Sequence, residues 1–178
     1  VGTAGQRCTS TRRVIAHRSR FDEVRDALVK AYGQVRIGDP LDPDTLMGPL
    51  VNDAAVRTVE AAIASVREEG GEILCGGERI GGPGNFMTPA IAVVENDWEI
   101  VQHETFGPIL YVMPFETLDE AILHYGPKPD GLDEVPGKRV VVVDHHEHGA
   151  SLPAGRPAAA RTISRALPMA STTRLSSS

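Results

Sequence analysis

Runs of β-branched and aliphatic residues alternate with amphipathic helical segments along residues 1–122, and this alternation restricts the fold more than any other feature. The runs that predict strands are residues 12–17, 72–75, 87–94 and 109–115. Between them, two segments carry apolar residues at the spacing of a helix with one apolar face. Strands that alternate with such helices are typical of an α/β fold, so we expect a layered α/β domain.

The first predicted helix covers residues 19–33, with Ser19 as its N-cap and Gly33 as its end. Its apolar face is predicted to consist of Phe21, Val24, Leu28 and Ala31. A loop is predicted around Gly38-Asp39-Pro40, because glycine and proline interrupt regular structure.

The second predicted helix begins after Asn52 or Asp53 and ends at Gly70-Gly71. Its apolar face is predicted to consist of Val56, Val59, Ile63 and Val66. A third helix is predicted over residues 117–123.

The composition changes near residue 124 to one rich in Pro, Gly, Ala, Ser and Arg. Only residues 138–143 in this part could form a strand. Such a sequence cannot bury enough apolar surface to offset the entropy lost on ordering. We therefore predict a partial domain at residues 1–122 and a mostly disordered tail at residues 123–178.

Bulk properties exclude several classes of protein. A net charge of -6 argues against a nucleic-acid binder, which usually has a basic domain. No apolar run approaches the roughly 18 residues of a membrane span. The two cysteines are too few for a disulfide framework, so a reducing compartment, the cytoplasm, is expected.

Cys8 is the candidate nucleophile. A single cysteine is more often a small buried apolar residue than a nucleophile. Here Arg7 is adjacent, and Arg12 and Arg13 follow at the start of a predicted strand. Cationic neighbours favour the thiolate, which is the attacking species.

Four segments resemble motifs of the aldehyde dehydrogenase superfamily. GTAGQRCTSTRR is similar to the active-site stretch of that family, and HETFGP at residues 103–108 is similar to its second signature. Between them, VRIGDPLDPDTLMGPL resembles the GDP…GPL loop and PGNFMTPAI resembles the stretch that follows it. GQRCTSTRR and the PGN loop resemble the antiquitin, or α-aminoadipic semialdehyde, dehydrogenases.

The resemblance implies a partial aldehyde dehydrogenase catalytic domain that uses NAD to oxidise a small aldehyde. Cys8 would attack the carbonyl to give a thiohemiacetal, and loss of hydride would leave a thioester for hydrolysis. The Cys8 backbone N–H would donate to the oxyanion. Glu104 would accept hydrogen bonds from the nicotinamide ribose, Phe106 would pack beside it, and Arg7 would face an anionic substrate tail. The family's homodimers and homotetramers are the implied assemblies.

Each of these residues also has a structural interpretation. Glu104 could be a solvated loop carboxylate, Phe106 a core residue and Arg7 a surface charge. Cys75, in EILCGG, is interpreted as a buried structural thiol. Residues 145–148, HHEH, contain metal-binding side chains but no framework that fixes a tetrahedral site, so no metal site is predicted.

The resemblance also predicts what this sequence lacks. The family's cofactor domain would precede Val1, and with it the general base and the oxyanion-hole asparagine. The glycine-rich stretch at residues 76–85 contains no G-x-G-x-x-G dinucleotide fingerprint. The alternative function is therefore a catalytically inactive fragment or gene-model artefact, with residues 124–173 interpreted as an unspliced insert or a reading-frame error.

Overall fold

The computed structural model describes residues 1–117 and 119–121, and the backbone of residues 139–143. The elements in chain order are β1 (Thr11–His17), α1 (Arg18–Tyr32), α2 (Asp53–Glu68), β2 (Glu72–Cys75), β3 (Ala90–Val93), α3 (Glu99–Gln102), β4 (Ile109–Phe115) and β5 (Arg139–Val143). The five strands form one sheet in the order β2-β3-β4-β1-β5. The predicted α/β fold is confirmed.

Four of the five strands are parallel. β1 lies between β4 and β5 and is parallel to both, with Val14 opposite Val112 on one side and Val141 on the other. β3 continues the parallel arrangement beside β4, and β2 pairs with β3 in the antiparallel direction. Because β1 and β4 are parallel neighbours in register, the segments that precede them lie at the same edge of the sheet.

The helix α1 covers one face of the sheet. Its partly buried residues Phe21, Val24 and Leu28 pack with a buried cluster of Val14, Ile91, Leu110 and Val112. Ala31, predicted on this apolar face, is exposed. The predicted N-cap is also wrong: the helix begins at Arg18, and the His17 side chain accepts a hydrogen bond from the Ser19 backbone N–H. Imidazole can replace a hydroxyl as the capping acceptor, which the preference for serine does not anticipate.

The helix α2 packs in the larger core cluster, which includes the sheet residues Ile15, Tyr111 and Met113. Its four predicted core residues, Val56, Val59, Ile63 and Val66, are all buried. Asn52 is the N-cap, because its side chain accepts a hydrogen bond of 2.9 Å from the Ala55 N–H. The sheet therefore lies between two helices, and burial of both its faces explains the strands' near-continuous apolar sequences.

Several predicted elements differ from the structure. The strand predicted at residues 87–94 is shorter, Ala90–Val93, and the short helix α3 was not predicted. The strand predicted at residues 138–143 is present as β5 and pairs with β1, so the sheet extends beyond residue 122. Of the third helix predicted over residues 117–123, residues 119–121 are helical and residue 117 is not, whereas residues 118, 122 and 123 lie outside the described residues. The remainder of the tail, apart from β5, also lies outside them.

Neither of the two long helices in the described part of the chain has the length and apolar composition required to cross a membrane.

Candidate active site

Two loops at the amino ends of β1 and β4 form the candidate site. Residues 1–10 precede β1 and include Cys8; residues 103–108 precede β4 and include Glu104 and Phe106. Arg12 and Thr105 are 93 positions apart in the sequence, yet they are joined by a hydrogen bond. Parallel pairing of β1 with β4 is what brings the two sequence motifs together.

The loop that carries Cys8 is a series of tight turns. The Gln6 N–H donates to the Thr3 carbonyl at 2.9 Å, and the Ser10 N–H donates to the Arg7 carbonyl at 3.0 Å. The Gln6 side chain accepts a hydrogen bond of 2.9 Å from the Val51 N–H, which attaches the loop to the segment before α2. Cys8 itself is exposed, so the loop is ordered while its thiol remains accessible.

Gly5 allows the two loops to approach each other closely. It has a φ of +67°, and a Cβ atom at this position would lie 1.9 Å from the Gly107 carbonyl oxygen. Gly107 in turn lies against α2, where a Cβ atom would be 2.2 Å from a methyl carbon of Val59. Both motif glycines are therefore required by close contacts: Gly5 by the backbone of the second loop, and Gly107 by the Val59 side chain of α2.

Arg12 joins the two loops through its guanidinium group. The side chain is only 4% exposed. Its Nη1 donates to the Thr105 carbonyl, in the second loop. Its Nη2 donates to the Gly5 carbonyl at 2.9 Å and to the Arg7 carbonyl at 3.3 Å, both in the first loop.

The same Nη2 atom lies 3.2 Å from the Glu104 Oε1 atom. The guanidinium carbon is also 5.2 Å from the centre of the Phe106 ring, a distance suited to a cation–π contact. Arg12 thus contacts the peptide group before Cys8 and both predicted cofactor-binding residues.

Glu104 and Phe106 remain accessible although Arg12 contacts both. The Glu104 side chain is 29% exposed, and the ion pair uses only its Oε1 atom. Phe106 is 42% exposed, so it is not the core residue of the alternative interpretation. An accessible carboxylate beside an accessible aromatic ring fits a ribose, whose hydroxyls can donate to the carboxylate while its carbons pack on the ring.

From the sequence, Arg12 and Arg13 were predicted only to be cations that favour the Cys8 thiolate. In the structure their side chains have different partners: Arg12 joins the two loops, and Arg13 donates to the Asn96 side chain at 2.9 Å. The linking role of Arg12 was missed. A buried arginine requires several acceptors, and its position at the start of a strand was the available signal.

The remaining candidates are placed as follows. Arg7 is exposed beside Cys8. Cys75 is half-buried in β2, and burial raises the pKa of its thiol. Among the described residues, no three metal-binding side chains are grouped. Residues 145–148 lie outside the described residues.

The sequence of this chain is similar to those of known proteins. The sequence model described as "Aldehyde dehydrogenase family" matches residues 1–133. An aldehyde dehydrogenase family 7 member A1 of Malus domestica is 47% identical over 132 residues, which are 74% of this chain and 26% of the relative. The α-aminoadipic semialdehyde dehydrogenase of Bos taurus is 46% identical over 121 residues, 67% of this chain and 22% of the relative. This chain therefore spans about a quarter of the length of these curated relatives.

Solved structures are similar over the same part of the chain. An aldehyde dehydrogenase of Mycobacterium tuberculosis complexed with NAD+ is 38% identical with a TM-score of 0.65, over 68% of this chain and 26% of that structure. An NAD+ complex of an aldehyde dehydrogenase from Bacillus cereus is 37% identical, also with a TM-score of 0.65, over 68% of this chain and 25% of that structure.

Proposed function

The chain belongs to the aldehyde dehydrogenase family, and we propose that it provides the nucleophile for NAD-dependent oxidation of an aldehyde to its carboxylic acid. One observation carries the proposal: the buried Arg12 guanidinium holds the loop of an exposed cysteine against an accessible Glu104 and Phe106. This arrangement supports a site in which Cys8 would be the nucleophile and Glu104 and Phe106 would bind a ribose.

Cys8 would act through its sulfur. The thiolate adds to the aldehyde carbon to form a thiohemiacetal, and its backbone N–H donates to the oxygen that becomes negative. Once the carbon has lost hydride, Cys8 holds the acyl group as a thioester. Attack by water on the thioester releases the acid and restores the thiol. Exposure of Cys8 supports this role, since a buried thiol could not reach the aldehyde.

Glu104 and Phe106 would hold the nicotinamide ribose of NAD. Bound NAD would supply the hydride acceptor. The Glu104 oxygen that Arg12 does not contact would accept hydrogen bonds from the ribose hydroxyls. Arg12 would keep this carboxylate oriented, because a charged donor lies beside it.

The substrate proposed is α-aminoadipic semialdehyde, the aldehyde in the name of the Bos taurus relative. Its carboxylate lies at the end opposite the aldehyde and would pair with a cation near the site. Arg7 is adjacent to Cys8 and is exposed, so it could pair with this end. A side chain in that position favours anionic aldehydes over neutral ones of equal length.

The test places residues 1–122 of this chain in the corresponding segment of the Malus domestica relative and measures NADH production. We expect the hybrid to oxidise α-aminoadipic semialdehyde with NAD. Glu104→Gln should weaken the ribose hydrogen bonds and lower kcat about ten-fold, while thioester formation at Cys8 persists. A hybrid that folds and binds NAD but makes no NADH would contradict the proposal.

A further inference from the structure

We infer that Arg12 is a positioning residue that orients the peptide group between Arg7 and Cys8, so that the Cys8 N–H points toward the bound carbonyl compound. The inference rests on the proposed role of Cys8 as the nucleophile. It assigns Arg12 a function apart from the electrostatic one that the sequence predicts.

The orientation follows from the geometry of the peptide bond. The Arg7 carbonyl accepts from Arg12 Nη2 at 3.3 Å and from the Ser10 N–H at 3.0 Å. The described residues contain no cis peptide bond. In a trans peptide the N–H points opposite to the carbonyl. The Cys8 N–H is therefore directed away from the Arg12 guanidinium, and this leaves it able to donate to a ligand.

Arg12 can hold this peptide because its own position is fixed. The side chain is almost fully buried, and its Nη1 donates to the Thr105 carbonyl in the loop before β4. Its Nη2 also donates to the Gly5 carbonyl at 2.9 Å. This hydrogen bond fixes the turn that precedes Arg7 and Cys8. Without Arg12, only the Ser10 N–H would hold the Arg7 carbonyl, and the peptide could rotate.

Two reactions of the Cys8 thiol can distinguish a change in the orientation of its N–H from a change in the reactivity of its sulfur. With p-nitrophenyl acetate, the Cys8 sulfur bonds to the acetyl carbon through a tetrahedral oxyanion. The bond to p-nitrophenolate then breaks, and the thiol proton passes to solvent. With iodoacetamide, the sulfur displaces iodide and no oxyanion forms. The ratio of the acylation rate to the alkylation rate therefore reports the oxyanion donor, because thiolate fraction and access affect both reactions.

The experiment uses the full 178-residue chain, needs no NAD, and follows the Cys8 and Cys75 peptides separately by mass spectrometry. The variants are Arg12→Met and Arg12→Lys, with Arg13→Met as the matched control. Arg13 is also a buried arginine of β1, but it donates to Asn96 instead of the Cys8 loop. Cys75 provides an internal reference within each sample.

We expect Arg12→Met to lower the Cys8 ratio about five- to ten-fold, the effect of one lost hydrogen-bond donor in an accessible site. Arg12→Lys, which retains the charge and can donate to some of the carbonyls, should recover part of the ratio. Arg13→Met should change it less than two-fold, and the Cys75 ratio should not change.

An unchanged Cys8 ratio in Arg12→Met, or an equal fall in Arg13→Met, would overturn the inference. Should Arg12→Met fail to fold, Arg12→Lys carries the test, and a Cys8 ratio equal to that of the unaltered chain would overturn it. The proposed function is judged separately by NADH production in the hybrid, so failure of either proposal can be recognised without the other.

Discussion

The two cysteines of this chain have the same side chain but lie in different environments. Cys8 lies in a loop ordered by polar backbone contacts and one guanidinium, and its thiol is exposed. Cys75 lies in β2, packed with the apolar cluster that includes Val14 and Leu110, and burial raises its pKa. The difference is that polar contacts can order a loop without covering its side chains, whereas apolar packing orders a strand by covering them.

Replacing each thiol with serine should give the largest contrast. In the hybrid enzyme, Cys8→Ser should lower NADH production by more than about a thousand-fold, because a neutral hydroxyl is a far weaker nucleophile near neutral pH. Cys75→Ser should leave kcat within about two-fold and lower stability by about 1 kcal/mol. Steady-state kinetics of both variants give the comparison. Activity of Cys8→Ser at the parent rate would show that the nucleophile is elsewhere.

The order of the Cys8 loop can be disturbed without changing the thiol. Gly5→Ala should destabilise the chain by about 3 kcal/mol, because it combines a positive φ with a Cβ atom 1.9 Å from the Gly107 carbonyl oxygen. Gly81→Ala is the control, since a Cβ atom there would have no neighbour within 4 Å. Urea unfolding measures both. Equal stabilities would mean that the two loops do not approach as described.

The rates at which the two thiols are alkylated at mildly alkaline pH should differ by a smaller factor than the activities above. Burial raises the pKa of Cys75 and outweighs the hydrogen bond from Ile91, which lowers it. At about pH 8 we expect Cys75 to react with iodoacetamide about ten-fold more slowly than Cys8, because the Cys75 thiol is partly covered and burial raises its pKa.

The raised pKa of Cys75 also makes the stability of the fold depend on pH. Because the folded-state pKa of Cys75 is above that of an unfolded thiol, its contribution is present below about pH 8.5 and is lost as the pH rises through the folded-state value. Cys75→Ala should therefore show a shallower loss of stability in this range. Burial raises the pKa of Tyr32 to about 12, so that phenol ionises at higher pH. Identical slopes for the variant and the unaltered chain would contradict the burial of Cys75.

The smallest expected effect concerns Arg7. In the hybrid, Arg7→Ala should lower kcat/KM for α-aminoadipic semialdehyde about five-fold more than for a neutral aldehyde of similar length, because an exposed ion pair contributes about 1 kcal/mol or less. Competition between the two aldehydes in one assay measures the ratio directly. Equal losses on both would remove the substrate role of Arg7 and leave that of Cys8 intact.

Local patterns in the sequence predicted the elements well where periodicity was strong. The three valines and one isoleucine of α2 are spaced for one buried face, and the helix has that face. The short helix α3 was missed because one turn carries too little periodicity. The pairing of β1 with β4 could not be deduced either, since β2 and β3 lie between them in the sequence.

The candidate site was predicted in parts. Motif resemblance selected Cys8, Glu104 and Phe106, and Arg12 contacts the last two and the peptide group that precedes Cys8. Its role depends on carbonyl groups from two distant loops, and no local pattern specifies where backbone carbonyls will point. The sequence could identify the candidate site residues, whereas the contacts that Arg12 makes with both loops became visible only with the fold.

The interior position of β1, between β4 and β5, also affects the order in which the chain can fold. Its partners are residues 109–115 and 139–143, so β1 must remain unpaired while about 100 further residues are synthesised, roughly 5–20 s at ordinary translation rates. Until then Arg12 has no Thr105 carbonyl to bind, and the Cys8 loop precedes an unpaired strand with exposed edges. Assembly of the Cys8 loop is therefore a late step, and a nascent chain is most open to misplaced strand pairing before β4 emerges.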